Sequence, residues 1–346
     1  MLNASFSKYS LLFKSPSGTS RGVLTEKETY FVRMMDDAKP DEIGVGECAL
    51  FKGLSADDVP DYEKVLDDAC WNFDAYKDDF RERFKKYPSI VMGLETALAD
   101  LQNGGRQTPF PSDFTKGKGE IVINGLVWMG DRDFMMKQIE DKLVAGFSCI
   151  KMKIGAINFD DELNLLASVR ERFSADKVTL RVDANGAFSA DEAMEKLDRL
   201  ASLEIHSIEQ PIKAGQTEAL AQICKMSPLP IALDEELIGI FERDEKARLL
   251  DVVKPQFLVL KPSLHGGFCG SEEWIELAKE RGIGWWITSA LESNVGLNAI
   301  AQWTYKFNVA IPQGLGTGQL FTNNVPSKLS LCGDRLKFDP HKSIWD

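Results

Sequence analysis

Cys149-Ile150-Lys151-Met152-Lys153 and Leu180-Arg181-Val182-Asp183-Ala184-Asn185 each set ionisable side chains into a run with the composition of a buried β-strand. Three further segments do the same: Ser207-Ile208-Glu209-Gln210-Pro211, Ile231-Ala232-Leu233-Asp234-Glu235 and Phe257-Leu258-Val259-Leu260-Lys261-Pro262. Charges rarely stand inside apolar strands unless they are paired or hold a metal. Their order here is cation, anion, anion, anion, cation. From Lys151 through Asp183, Glu209 and Asp234 to Lys261 the steps are about 25–32 residues, the length of one strand-plus-helix unit. A series of such units returns each charged group to the same end of a parallel sheet. Closed on itself, that sheet is a (β/α) barrel, whose chemistry lies at the C-terminal strand ends.

The flanking sequence extends this reading over residues 119–320. Asp160 to Phe173 and Ser189 to Leu203 carry apolar residues at helical spacing, and Ser189 with Glu192 fits a capping box. Ile121 to Trp128 reads as the first strand and Trp285 to Ser289 as the seventh, followed by a helix from Val295 to Tyr305. Gln313 to Gly318 supplies the last strand or its loop.

Residues 1–118 lack the strand–helix alternation. Strands at Ser7–Phe13, Glu28–Met34 and Gly44–Ala49 precede helices at Asp61–Lys86 and Ser89–Gln102, the pattern of an α+β domain. Ile90, Leu94, Ala97, Leu98 and Leu101 form the apolar stripe of the second helix. Gln107 to Gly119 reads as the linker, and the tail 321–346 is expected to pack back on the N-terminal domain. The glycine-rich stretch Ser15 to Gly22 suits either a mobile loop over a site mouth or a surface hairpin.

Composition bounds the function. The chain has 346 residues, 44% of them hydrophobic, enough for a barrel and a second unit. A net charge of −12, from 53 acidic and 41 basic residues, argues against nucleic acid or an anionic membrane as partner. Met1 to Lys14 lacks the apolar core of a signal peptide and no apolar run is long enough to span a membrane, so a cytoplasmic location is expected. Six scattered cysteines are expected to be free, buried thiols, and three dispersed histidines do not make a metal cluster. Oligomeric state is not readable from the chain.

Lys151 and Lys153 lie two apart and project to one face of their strand. Alone, such a pair is usually exposed; Ile150, Met152 and Ile154 argue for burial. Mutual repulsion and desolvation are then expected to lower a lysine from about 10.4 towards about 7–8, where it can act as a base. A single carboxylate at a strand end is ordinarily a cap. Asp183, Glu209 and Asp234 in successive units instead offer hard oxygen ligands, which favour Mg²⁺, with Mn²⁺ as a substitute. Arg181 is expected on the inward face beside Asp183, and Asn185 as a supporting group. Lys261 faces the other lysines across the mouth. Together these suit loss of a proton beside a carboxylate, with a lysine as base and a metal as electrostatic stabiliser.

These motifs in this order resemble the enolase superfamily, in its muconate-cycloisomerase-like branch. Gly44-Val45-Gly46-Glu47-Cys48 and Gly53-Leu54-Ser55 resemble that branch's capping-domain motif. A lysine base with Mg²⁺ is the superfamily's general pattern. Thr288-Ser289-Ala290-Leu291-Glu292-Ser293-Asn294-Val295-Gly296-Leu297 and Gly314-Leu315-Gly316-Thr317-Gly318 are similar to segments of the o-succinylbenzoate synthases of menaquinone biosynthesis. The resemblance implies a modified TIM barrel of (β/α)7β type, with an α+β capping domain completed by the tail. It implies Lys153 as base, Lys151 tuning it, Lys261 as the opposing cation held against the planar intermediate by a cation–π contact, and Asp183, Glu209 and Asp234 as Mg²⁺ ligands. The substrate would be a small carboxylate that loses water through an enediolate. Ser289, Ser293, Gly316 and the Gly18–Arg21 loop are the expected substrate contacts. Dipeptide epimerases share the lysines and carboxylates but carry an Asp-x-Asp pair where this chain has Gly316-Thr317-Gly318. N-acylamino-acid racemisation needs the same two lysines. Muconate cycloisomerisation fits the fold alone, and a mandelate-racemase-like site would need a histidine on the seventh strand. A barrel kept as a scaffold would have lost site residues, and none is lost.

Overall fold

The computed structural model describes residues 1–19 and 22–342. The chain opens with an antiparallel sheet of β1 (Leu2–Thr19), β2 (Gly22–Asp36) and β3 (Lys39–Cys48) in that order. The first two strands run well beyond the expected limits. Their register slips between Leu12 and Ser17, around Pro16, which has no N–H to give to the ladder. Ser17 to Thr19 and Gly22 to Leu24 are thus the paired strand ends of a hairpin, and Gly18 bridges to Met129 just past the first barrel strand. Ser20 and Arg21 of the expected loop lie outside the described residues.

The helix expected over Asp61–Lys86 is three pieces, Tyr62–Trp71, Phe73–Tyr76 and Phe80–Arg83. The breaks turn Phe73, Phe80 and Phe84 into a core shared with Val32, Met34 and Leu66. Helix Pro88–Gln102 then lies directly on β3. An added Cβ at Gly46 would stand 2.0 Å from the Gly93 carbonyl oxygen, so the glycines of Gly44-Val45-Gly46 set how closely helix and strand approach.

β4 (Glu120–Val122) and β5 (Gly125–Val127) divide the expected first strand. Only β5 enters the barrel. It is followed in parallel by β6 (Cys149–Lys153), β7 (Thr179–Asp183), β8 (Ser207–Glu209), β9 (Ile231–Leu233), β10 (Phe257–Leu260) and β11 (Gly284–Ile287), each paired with the next. Gln313 and Gly314 close the ring through single bridges to Ile123 and Thr288. The intervening helices sit where the periodicity puts them. Helix Ala190–Ala201 carries the capping box, with Ser189 N–H donating to Glu192 Oε1 at 3.0 Å. The α/β barrel of (β/α)7β type with a capping domain is the observed architecture.

The tail divides its contacts. Leu320 and Thr322 hydrogen-bond to Lys14 and Leu12 of β1, as expected. Beyond them β12 (Leu329–Cys332) and β13 (Arg335–Phe338) form a hairpin whose second strand pairs with β4. That pairing draws Glu120–Val122 out of the barrel. All six cysteines are free as expected, but Cys269 and Cys332 are exposed. Among the described residues no helix is long and apolar enough to cross a membrane.

The tight contact at Gly46 makes a prediction. Gly46→Ala should destabilise the protein by at least about 2 kcal/mol in urea unfolding, because backbone atoms must move. An unchanged midpoint would contradict this packing.

Candidate active site

In register, Lys153 pairs with Asp183 on the next strand, and Asp183 with Glu209 on the one after. Parallel pairing therefore stacks the charged groups at one level, and the sites at Asp234 and Lys261 continue the ring. Lys151 Nζ donates to Asp183 Oδ2 at 3.1 Å and Glu209 Oε2 at 2.8 Å. Lys153 Nζ donates to the same Asp183 Oδ2 at 3.0 Å and to Asn185 Oδ1 at 2.6 Å. Lys261 Nζ donates to Asp234 Oδ2. Asn185 takes a left-handed backbone, with φ 44°, and its N–H donates to Asp183 Oδ1.

Lys151, Lys153, Asp183, Asn185 and Lys261 line one cavity of about 70 Å³ at the C-terminal strand ends. Phe51 and Leu54 of the capping domain cover it. Trp128, Leu291 and Thr317 complete the wall. Glu209 and Asp234 are buried outside the lining and are reached through the lysines. Glu209 Oε1 and Asp234 Oδ1 have no hydrogen-bond partner. As the side chains stand, no three His, Cys, Asp or Glu among the described residues are close enough to hold one ion. The lysines take the carboxylate oxygens instead.

Comparison with known proteins identifies the family. A family model described as Enolase C-terminal domain-like matches residues 135–322. The o-succinylbenzoate synthase of Desulfotalea psychrophila is 48% identical, over 97% of this chain and 98% of that protein. The crystal structure of MenC from the same organism superposes with a TM-score of 0.82 at 44% identity, covering 97% of this chain and 99% of that one. The chain belongs to the enolase superfamily, in its o-succinylbenzoate synthase family. An L-Ala-D/L-Glu epimerase from Bacillus subtilis reaches a TM-score of 0.81 over 97% of this chain and 95% of its own, but at 20% identity shares the fold alone.

As a member of the enolase superfamily, the chain sets its buried charges against one another. Burial opposes the charge on Lys151, but Asp183 and Glu209 outweigh it and hold the ammonium above the ordinary lysine range. The depression expected from the neighbouring lysine is thereby reversed at Lys151: that expectation left out the carboxylates. Burial also opposes Lys261, and Asp234 with Glu209 raises it. Burial works against ionisation of Asp183 and Asp234 too, yet their lysines hold both below the usual carboxylate range. Glu209 goes the other way. Burial and the facing Asp183 push it up to about 8, against Lys151.

Other expected contacts divide. Ser289 and Gly316 line the cavity, and Ser289 Oγ is 2.6 Å from Thr317 Oγ1. Arg181 points inward as expected but lies too deep, one inward-facing position before Asp183. Its guanidinium stacks 4.2 Å from the Trp286 ring centroid and donates to the Pro312 carbonyl. Ser293 does not line the cavity. Its hydroxyl donates to Glu47 Oε2 at 2.5 Å and caps the last barrel helix. The sequence reading missed Trp128, Leu54, Phe51, Leu291 and Thr317. Trp128 ends the first expected strand and was open to the strand-end rule; its ring centroid is 5.9 Å from Lys153 Nζ. Gln210, quoted only as part of a motif, joins two strands by accepting from the Asp234 and Glu236 N–H groups.

His265 yields a test of this packing. Its Nδ1 accepts from the Lys261 N–H at 3.0 Å, its Nε2 has no partner, and burial pushes the ring down to about 3. As pH falls below about 6.5 the unfolded chain binds the proton first, so stability drops towards pH 3. Between pH 6.5 and 5 the parent should lose about 2 kcal/mol more than His265→Gln in urea unfolding. Equal losses would contradict a buried neutral ring.

Proposed function

We propose that this chain is an o-succinylbenzoate synthase, a carbon–oxygen lyase that removes water from a succinyl-hydroxy-cyclohexadiene carboxylate. The observation that carries the reading is a cavity where Lys153 and Lys261 meet beside Asp183, with no carboxylate at Gly316-Thr317-Gly318. A substrate ammonium, as a dipeptide epimerase requires, finds no acid partner on that strand. Asp183, the one acidic residue lining the cavity among the described residues, is already bonded to Lys151 and Lys153. The 48% identity to a named synthase over nearly the whole chain supports the same choice.

Three carboxylates on neighbouring strands, two of them with a buried oxygen lacking a partner, fit a hard divalent cation such as Mg²⁺. Asp183, Glu209 and Asp234 would hold it. Bound there, it supplies charge stabilisation for the substrate carboxylate while the adjacent carbon loses its proton. Lys153 takes that proton at Nζ, whose direction is fixed by Asp183 Oδ2 and Asn185 Oδ1. The ammonium so formed returns the proton to the hydroxide as the C–O bond breaks, so one water leaves and the ring becomes aromatic. Lys261 sets a positive charge against the planar anion from the other wall. Lys151, bonded to the same oxygen as Lys153, keeps Asp183 ionised. Phe51 and Leu54 of the capping domain pack with Leu291 at the mouth of the cavity. The reading places the reaction in menaquinone biosynthesis, in the cytoplasm.

Two measurements test it. Lys153→Ala and Lys261→Ala should each lower kcat for the cyclohexadiene acid by about 10³ or more with the fold intact; wild-type turnover by either variant would remove that lysine from the mechanism. Millimolar Mg²⁺ should raise Tm of the wild type and leave Asp183→Asn and Glu209→Gln unmoved. An equal rise in all three would place the ion elsewhere.

A further inference from the structure

The chemistry above leaves a buried ionic cluster between capping domain and barrel unused. Lys27 of β2 is buried and its Nζ reaches no hydrogen-bond acceptor. Burial works against its charge, and Glu47 and Glu292 favour it. Glu47, at the end of β3, is fully buried. Its Oε1 accepts from Thr29 Oγ1 at 2.7 Å and the Ser293 N–H at 2.9 Å; its Oε2 accepts from Ser293 Oγ and, at 2.8 Å, the Gly296 N–H. Glu292 accepts from Ser263 Oγ at 2.6 Å and the Ala290 N–H at 2.8 Å. The segment so gripped carries Ala290 and Leu291 into the cavity wall, and Leu291 has φ 61°. A leucine keeps a left-handed backbone only where its surroundings hold it. Ser263 follows Lys261 by two residues.

We propose that Lys27, Glu47 and Glu292 are positioning residues: the capping-domain lysine faces two buried carboxylates, which fix the Ser289–Leu291 wall and, through Ser263, the segment bearing Lys261. The proposal rests on the assignment of that wall to the substrate cavity. Without Lys27 two carboxylates remain buried with no cation facing them, the arrangement folded chains tolerate least. Neutralising Glu292 as well returns the cluster to the wild type's excess of a single negative charge. Charge, rather than the lysine's bulk, is then what the wall depends on.

The test compares wild type, Lys27→Met and Lys27→Met/Glu292→Gln by hydrogen–deuterium exchange and by steady-state kinetics on the cyclohexadiene acid. Lys27→Met should speed exchange across residues 289–296 about tenfold, with β6 to β8 unchanged. It should raise KM about tenfold and lower kcat less. The double variant should return both to within about threefold of wild type. Exchange and KM within about twofold of wild type in Lys27→Met, acceleration spread evenly through the barrel, or no recovery in the double variant would each overturn the proposal. If Lys27→Met does not fold, Ser293→Ala, which removes one Glu47 contact, carries the same readouts, and unchanged exchange at 289–296 would overturn it. A wild type that fails to dehydrate the acid sinks the functional reading alone, since exchange still decides the positioning.

Discussion

Asp183 Oδ2 accepts from two lysines at once, and the rest of the site depends on that shared contact. Three carboxylates buried on adjacent strands repel one another and lose their hydration, so each needs a cation within reach. The barrel provides cations from its own strands. Lys151 serves Asp183 and Glu209, Lys153 serves Asp183, and Lys261 serves Asp234. The same constraint explains why Glu209, facing Asp183, is the carboxyl pushed upward. A site built this way stores charge of both signs in one cavity, which proton transfer beside a carboxylate requires.

Parallel register is what makes the contact possible. Lys153, Asp183 and Glu209 are direct strand partners, so a regular spacing along the chain becomes adjacency in space. This is why the candidate site was legible in the sequence. An ion-bearing strand recurring at the strand–helix interval determines both barrel and site level, and helix starts such as Ser189 follow from local capping. The depth of Arg181 was not legible in the same way. Alternation gives the face of a strand, but which inward layer reaches the cavity depends on how the strands are staggered around the ring. Lys151 goes against expectation because the carboxylates of the next strands outweigh both its burial and its neighbouring lysine.

The remaining surprises come from contacts between distant parts of the chain. β4 leaves the barrel because β13, about two hundred residues later, pairs with it. Ser293 reads as a candidate substrate contact at the end of a strand, yet Glu47 takes its hydroxyl from 246 positions away. Phe51, Leu54 and Leu291 enter the site because the capping domain closes over the barrel mouth. Tertiary partners of this kind leave no periodic trace in a single sequence, and they determine cavity shape more than charge does.

The most direct test of the central claim is anomalous diffraction from crystals soaked in Mn²⁺, which reports where a divalent ion binds regardless of turnover. One peak is expected, shared by Asp183, Glu209 and Asp234, between the walls that carry Lys153 and Lys261. A peak bound by other groups, or the three carboxylates still held only by their lysines, would contradict it.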